Sequence, residues 1–138
     1  MKQNPGTWPS LSYLDAEAAV GYLTSVVGFT ESIVYRGGDG RAVGHAELLW
    51  PEGGGIMFGS DTGEARWSEK AGGPGRGTVY LATSDVDAIH SRVRDAGWRI
   101  LRPIQQTDYG STEFGFLDPE GNAWSVGSYQ GHQAAAGG

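Results

Sequence analysis

Trp50-Pro51-Glu52-Gly53-Gly54-Gly55-Ile56-Met57-Phe58-Gly59-Ser60 returns 68 residues later as Asp118-Pro119-Glu120-Gly121-Asn122-Ala123-Trp124-Ser125-Val126-Gly127-Ser128. Five of the eleven positions are identical without a gap: the Pro-Glu-Gly turn and the Gly-Ser end. A turn rich in Pro and Gly between two apolar runs reads as a hairpin. Its recurrence at a fixed offset reads as a duplicated unit.

Working upstream from each copy, Tyr13-Leu14 precedes Asp15, and Tyr80-Leu81 precedes Asp85. Each Asp opens a helical pattern: Ala16, Ala19, Val20, Leu23 and Val27 in the first, Val86, Ile89, Val93 and Ala96 in the second. An N-terminal Asp accepts from the free amides of the first turn. Gly28 and Gly97 stand where a helix ends in the left-handed region. Each unit therefore reads as strand, helix and three strands. Strands are expected at 8–13, 30–36, 42–50 and 55–60, then at 78–83, 99–107, 111–117 and 123–129, with helices at 16–27 and 86–96. The chain is read as one α+β domain: two tandem βαβββ units (8–60 and 77–129) form a curved eight-stranded mixed sheet with the helices on its outer face. Residues 61–76 are the linker, and 130–138 are expected to be a disordered tail.

Composition narrows the function. The chain has 138 residues, a net charge of −6 and no cysteine. Disulfides, thiolate metal sites and a Cys nucleophile are thereby excluded. No Lys/Arg run exists to neutralise phosphates, so nucleic acid is not the expected partner. No apolar stretch approaches the roughly 20 residues of a membrane span. The N-terminal residues carry no apolar signal region, so a cytoplasmic protein is expected. Negative charge serves solubility and also draws in small cations. Gly37-Gly38-Asp39-Gly40 and Gly72-Gly73-Pro74-Gly75 lack the strand-to-helix setting of a phosphate loop.

Side chains alternate across a strand. Leu11, Tyr13, Ala46, Leu48, Trp50, Ile56 and Phe58 are expected to face the helices, as are Val79, Leu81, Phe114, Phe116, Trp124 and Val126. The opposite face mixes polar, small and apolar side chains and suits a ligand better than a dry core. On it stand Trp8, Ser10, His45, Glu47, Met57, Thr78, Tyr80, Glu113 and Ser125, which are the candidate ligand-binding residues. Trp67 in the linker could close over the pocket. His45 and Glu113 are repeat-equivalent, 68 residues apart. His45 is the candidate base, since imidazole titrates near neutrality. His45, Glu47 and Glu113 are also a set from which an unconventional metal site could be assembled. His90 is expected to be structural.

The duplicated βαβββ unit, the Asp-opened helices, the segment Gly44-His45-Ala46-Glu47-Leu48 and the hairpin Asp118-Pro119-Glu120-Gly121-Asn122-Ala123-Trp124-Ser125 resemble the vicinal oxygen chelate superfamily. This is the glyoxalase/bleomycin resistance/extradiol dioxygenase group. The resemblance covers residues 8–129. Enzymes of that group hold a divalent metal with His, Glu or Gln on the first and fourth strands of each unit. The matching positions here are Trp8, Met57, Thr78 and Ser125, none of them a usual ligand. Members without the metal are acidic dimers that sequester cationic antibiotics between aromatic rings. The resemblance thus implies a homodimer that binds a small organic, antibiotic-like ligand without a cofactor, as a resistance protein does. The alternative is a metal-dependent lyase, isomerase or dioxygenase with non-standard ligands, or metal-free chemistry at His45.

Overall fold

The computed structural model describes residues 7–37, 43–60 and 77–131. Linker residues 61–76, with Trp67, and tail residues 132–138 lie outside the described residues. Hydrogen bonding sorts the strands into two sheets of identical topology. The first holds β1 (Ser10–Tyr13), β2 (Thr30–Arg36), β3 (Val43–Leu49) and β4 (Gly55–Ser60) in the order β1-β4-β3-β2. The second holds β5 (Thr78–Ala82), β6 (Ile100–Gln106), β7 (Thr112–Leu117) and β8 (Ala123–Gly127) in the order β5-β8-β7-β6. The first strand of each unit runs parallel to the fourth, and the other pairs are antiparallel. The tandem βαβββ units and the mixed sheet read from the repeat are therefore present. The curved surface is built as two four-stranded halves, edged by β1 and β2 in the first and by β5 and β6 in the second.

Helix α1 (Ala16–Tyr22) begins where Asp15 Oδ1 accepts from the Ala18 amide at 3.0 Å, and α2 (Val86–Asp95) where Asp85 Oδ1 accepts from Ala88 at 3.1 Å. The single α-helix expected over 16–27 is instead α-helical to Tyr22 and π-helical over Leu23–Val27. The hydroxyls of Thr24 and Ser25 donate to the carbonyls of Val20 and Gly21, crowding the preceding turn. Gly28, at φ 113°, closes it with a five-residue bond to the Leu23 carbonyl. Arg92 of α2 then donates to the carbonyls of Val26 and Val27 at 2.7 and 3.2 Å, so a side chain of one unit caps a helix of the other.

Six strands are shorter than read, β1 and β8 each by two residues at one end. β1 starts at Ser10 because Pro9 has no amide proton, although its carbonyl accepts from Met57. β8 stops at Gly127, and the Tyr80 hydroxyl donates to the Tyr129 carbonyl beyond it.

The helices cover one face of each sheet, α1 on β3 and β4, α2 on β6 and β7. One continuous core results, with Tyr13, Leu23, Leu48, Ile56, Phe114, Phe116 and Trp124 among its fully buried members. Trp50 and Trp124 lie in it, as their alternation requires. Phe29 joins them, with ring centroids 4.9 and 5.8 Å away. His90 packs edge-on against Phe114, with ring centroids 4.9 Å apart.

The units are locked together through Asp118. Its buried carboxylate accepts from the Tyr13 hydroxyl of the other unit at 2.6 Å and from the Trp124 indole at 2.9 Å. Its second oxygen holds the amides of Glu120 and Asn122, which shapes the hairpin. Glu120 in turn accepts from the amides of Leu14 and Asp15, at the entrance to α1. At the repeat-equivalent seam the Trp50 indole donates to the Ala82 carbonyl at 2.8 Å.

Burial, then the Asp118 charge, pushes the Tyr13 phenol far above its usual range. A folded-state pKa above the unfolded one stabilises below the unfolded value, near 10, and that stability is lost as pH rises beyond it. Asp118→Ala strands two buried side-chain donors as well as two hairpin amides and should cost about 3 kcal/mol. Tyr13→Phe should cost about 1 kcal/mol and flatten the loss of stability between pH 9 and 11.5. Urea denaturation followed by circular dichroism checks both, and an unchanged midpoint for Asp118→Ala would refute the lock.

Candidate functional site

The face turned away from the helices is built row by row from the strand register. In the first sheet Ser10, Met57, Glu47 and Ile33 form one row across β1, β4, β3 and β2. His45 and Tyr35 pair in the next. In the second sheet Tyr80, Ser125, Gly115 and Arg102 form the matching row across β5, β8, β7 and β6. Thr78, Ala123 and Leu117 lie to one side of it, and Ala82, Gly127, Glu113 and Gln105 to the other.

His45 and Glu47, two residues apart on β3, are brought together: His45 Nε2 lies 2.8 Å from Glu47 Oε2, both half-buried. The Tyr35 ring stacks on His45 at 6.4 Å. Met57 is half-buried beside Glu47, whereas Ser10 is exposed at the edge. Trp8 is half-buried over the start of β4; a methyl group on Gly55 would come within 2.7 Å of its ring. Thr78 is exposed and Ser125 half-buried.

Glu113 departs from the open carboxylate the alternation suggests. It is only 6 % exposed and accepts from the Tyr109 hydroxyl at 2.9 Å. Tyr80 stands over the same spot, so the cradle of Gly127 is filled by both side chains. The hydrogen bond to Glu113, then burial, raises the Tyr109 phenol; burial, then the Glu113 charge, raises that of Tyr80. Both phenols are therefore neutral donors at physiological pH. Glu113 does not join its repeat-equivalent His45, because each lies in its own sheet with its own partner.

Sequence reasoning missed Arg102 and Tyr109. Arg102 reaches from β6 across Gly115, and its Nη2 donates to Ser125 Oγ at 2.7 Å. Pro103 and two register shifts break the alternation that would have revealed it. Tyr109 lies in a turn, where no periodicity applies. A cavity of about 370 Å³ opens here, bordered by Thr78, Leu101, Arg102, Gly115, Ala123, Trp124 and Ser125. A second, of about 360 Å³, runs along the free edge of β5 beside Phe29, Trp50 and the Gly53-Gly54-Gly55 turn. It belongs to the seam between the units, where Asp118 has no counterpart.

The donor set does not suit a divalent cation. Trp8, Met57, Thr78 and Ser125 offer an indole, a thioether and two hydroxyls, not the imidazole and carboxylate such an ion takes. Among the described residues no three His, Cys, Asp or Glu side chains are placed to share an ion, so His45, Glu47 and Glu113 do not converge.

The sequence profile of the Glyoxalase/Bleomycin resistance protein/Dioxygenase superfamily matches residues 9–126. The chain belongs to this superfamily. TioX from Micromonospora sp. ML1 is 31 % identical, with a TM-score of 0.70 over 88 % of this chain and 98 % of that one. The oxidase ChaP-H2 superposes with a TM-score of 0.68 at 19 % identity, covering 93 % of this chain and 95 % of that one. FosX, the fosfomycin resistance protein of Listeria monocytogenes in complex with Mn(II) and sulfate, does so at 0.59 and 12 % identity, covering 91 % and 90 %. At those identities ChaP-H2 and FosX share the fold alone. No curated protein matches the chain significantly. Among the described residues no helix is long and apolar enough to cross a membrane.

Glyoxalase-superfamily sheets here owe part of their relief to glycine. Gly127→Ala would drive a methyl group into Tyr80 Oη and to 2.8 Å from Glu113 Cγ. The variant should lose about 1–3 kcal/mol, read as a lower thermal midpoint. Retention of the wild-type midpoint would show that the Tyr80–Glu113–Tyr109 cluster is not packed as described.

Proposed function

We propose that this superfamily member binds a small organic, antibiotic-like molecule on the open faces of its sheets without a metal. The observation that carries this reading is the chemistry of the four positions where related enzymes hold a metal: Trp8, Met57, Thr78 and Ser125. The replacements favour contact with an organic surface. Trp8 offers a ring for stacking, at about 0.5–2 kcal/mol against a cation, and Met57 is an adaptable thioether. The His45–Glu47 pair offers a carboxylate to a basic group on the ligand, and the net charge of −6 draws such molecules in. The edges β1 and β5 and the shallow faces favour a homodimer in which a second copy deepens the pocket.

A second reading rests on the same pair. An imidazole 2.8 Å from a carboxylate is a base held by an orienting partner, as metal-free proton transfer requires.

Titration with metal-free bleomycin as a probe, read by tryptophan fluorescence, tests the first reading. Saturable quenching that is unchanged by EDTA is expected, with Trp8→Ala weakening it about tenfold. Calorimetry with Mn²⁺, Zn²⁺ and Ni²⁺ should show no stoichiometric uptake, and sedimentation should give twice the chain mass. One ion bound per chain, with quenching dependent on it, would overturn the metal-independent reading.

A further inference from the structure

Arg102 stands on β6, an edge strand, between two shifts of the β6–β7 register and immediately before Pro103. Such irregularities re-aim a side chain. The guanidinium lies across Gly115; a Cβ there would sit 3.1 Å from Nε and 3.6 Å from Nη2, so the missing side chain is what lets it lie flat. Nη2 donates to Ser125 Oγ at 2.7 Å.

Three of the other described arginines are taken up by the fold, and the fourth, Arg99, is exposed and does not border this cavity. Arg36 pairs with Glu17, Arg94 with Asp95, and Arg92 caps the π-turn carbonyls. Arg102 has no carboxylate within 4.0 Å among the described residues. A guanidinium stays charged at every physiological pH and presents five donors in a planar fork suited to two oxygens. Because Ser125 Oγ accepts from Arg102, its own proton is left to point elsewhere, and the Thr78 hydroxyl borders the same cavity. Leu101, Ala123 and Trp124 wall it with apolar surface, which strengthens a charged contact. The repeat-equivalent place in the first sheet, Ile33 beside Glu47, carries no cation.

We infer that this cavity is an oxyanion site, in which Arg102 and Ser125 receive a carboxylate of the bound ligand. Two donors meet its oxygens where a related enzyme would offer a metal. The inference rests on the proposed binding of a small organic molecule and adds to it the group that is recognised.

The test uses naphthalene-2-carboxylate and its neutral analogue 2-naphthamide as probes, titrated into the full chain in EDTA and followed by ¹H–¹⁵N spectra that include the arginine Nε–H signals. The carboxylate should bind about tenfold more tightly than the amide. Arg102→Gln, an exposed position that leaves the core untouched, should abolish that preference without changing amide binding. Arg102→Lys should retain part of it, and Ser125→Ala should reduce it. The Nε–H signal that disappears in Arg102→Lys should shift with the carboxylate alone. Equal binding of the two probes, or a preference that survives Arg102→Gln, overturns the oxyanion site alone. Failure of both probes to bind overturns the oxyanion site, and the bleomycin titration then decides the proposed function separately.

Discussion

A buried carboxylate without a cation is tolerable only when its oxygens are saturated with donors. Asp118 meets that condition by drawing donors from both halves of the chain: Tyr13 from β1 of the first unit, Trp124 and two hairpin amides from its own. The consequences spread from there. The hairpin is fixed, so β8 enters the sheet in one register and Ser125 faces outward. Glu120 is placed at the mouth of α1. The α1 helix and its π-turn are then gripped at the far end by Arg92 of α2. Two units that each bury only one sheet face become a single core.

Much of this was legible before any coordinates. The repeat, the Asp-opened helices and the alternation of Leu48, Ile56, Phe58, Phe116 and Trp124 depend on local periodicity, and they fixed the topology and the helix-facing core. Asp118 was legible only as the head of a turn, because its role needs Tyr13, 105 residues away. The repeat even argued against it, since the matching residue is Trp50. The π-turn was invisible because Thr24 and Ser25 do not disturb the apolar spacing of Leu23 and Val27. On the open face, His45, Glu47, Met57 and Ser125 lie where alternation puts them. Glu113 was placed on the right face but not in its buried state, because Tyr109 covers it from a turn. Arg102 escaped because Pro103 and a bulged register erase the two-residue period.

The open faces therefore combine what the fold requires with what it leaves free. Gly55, Gly115 and Gly127 accommodate side chains that lie over them, namely Trp8, Arg102 and the Tyr80–Glu113 pair. Each glycine thus sets the posture of a larger residue that could touch a ligand.

Duplication began with two equal halves, and matching places have since become unlike. One sheet presents Met57, Glu47 and Ile33 in a row; the other presents Ser125, Gly115 and Arg102. The first row is acidic and greasy, the second basic and hydroxylated. A molecule with distinguishable ends that touches both rows can be read in one direction and not in reverse. The loss of internal symmetry therefore gives the protein a sense of polarity that neither ancestral half possessed.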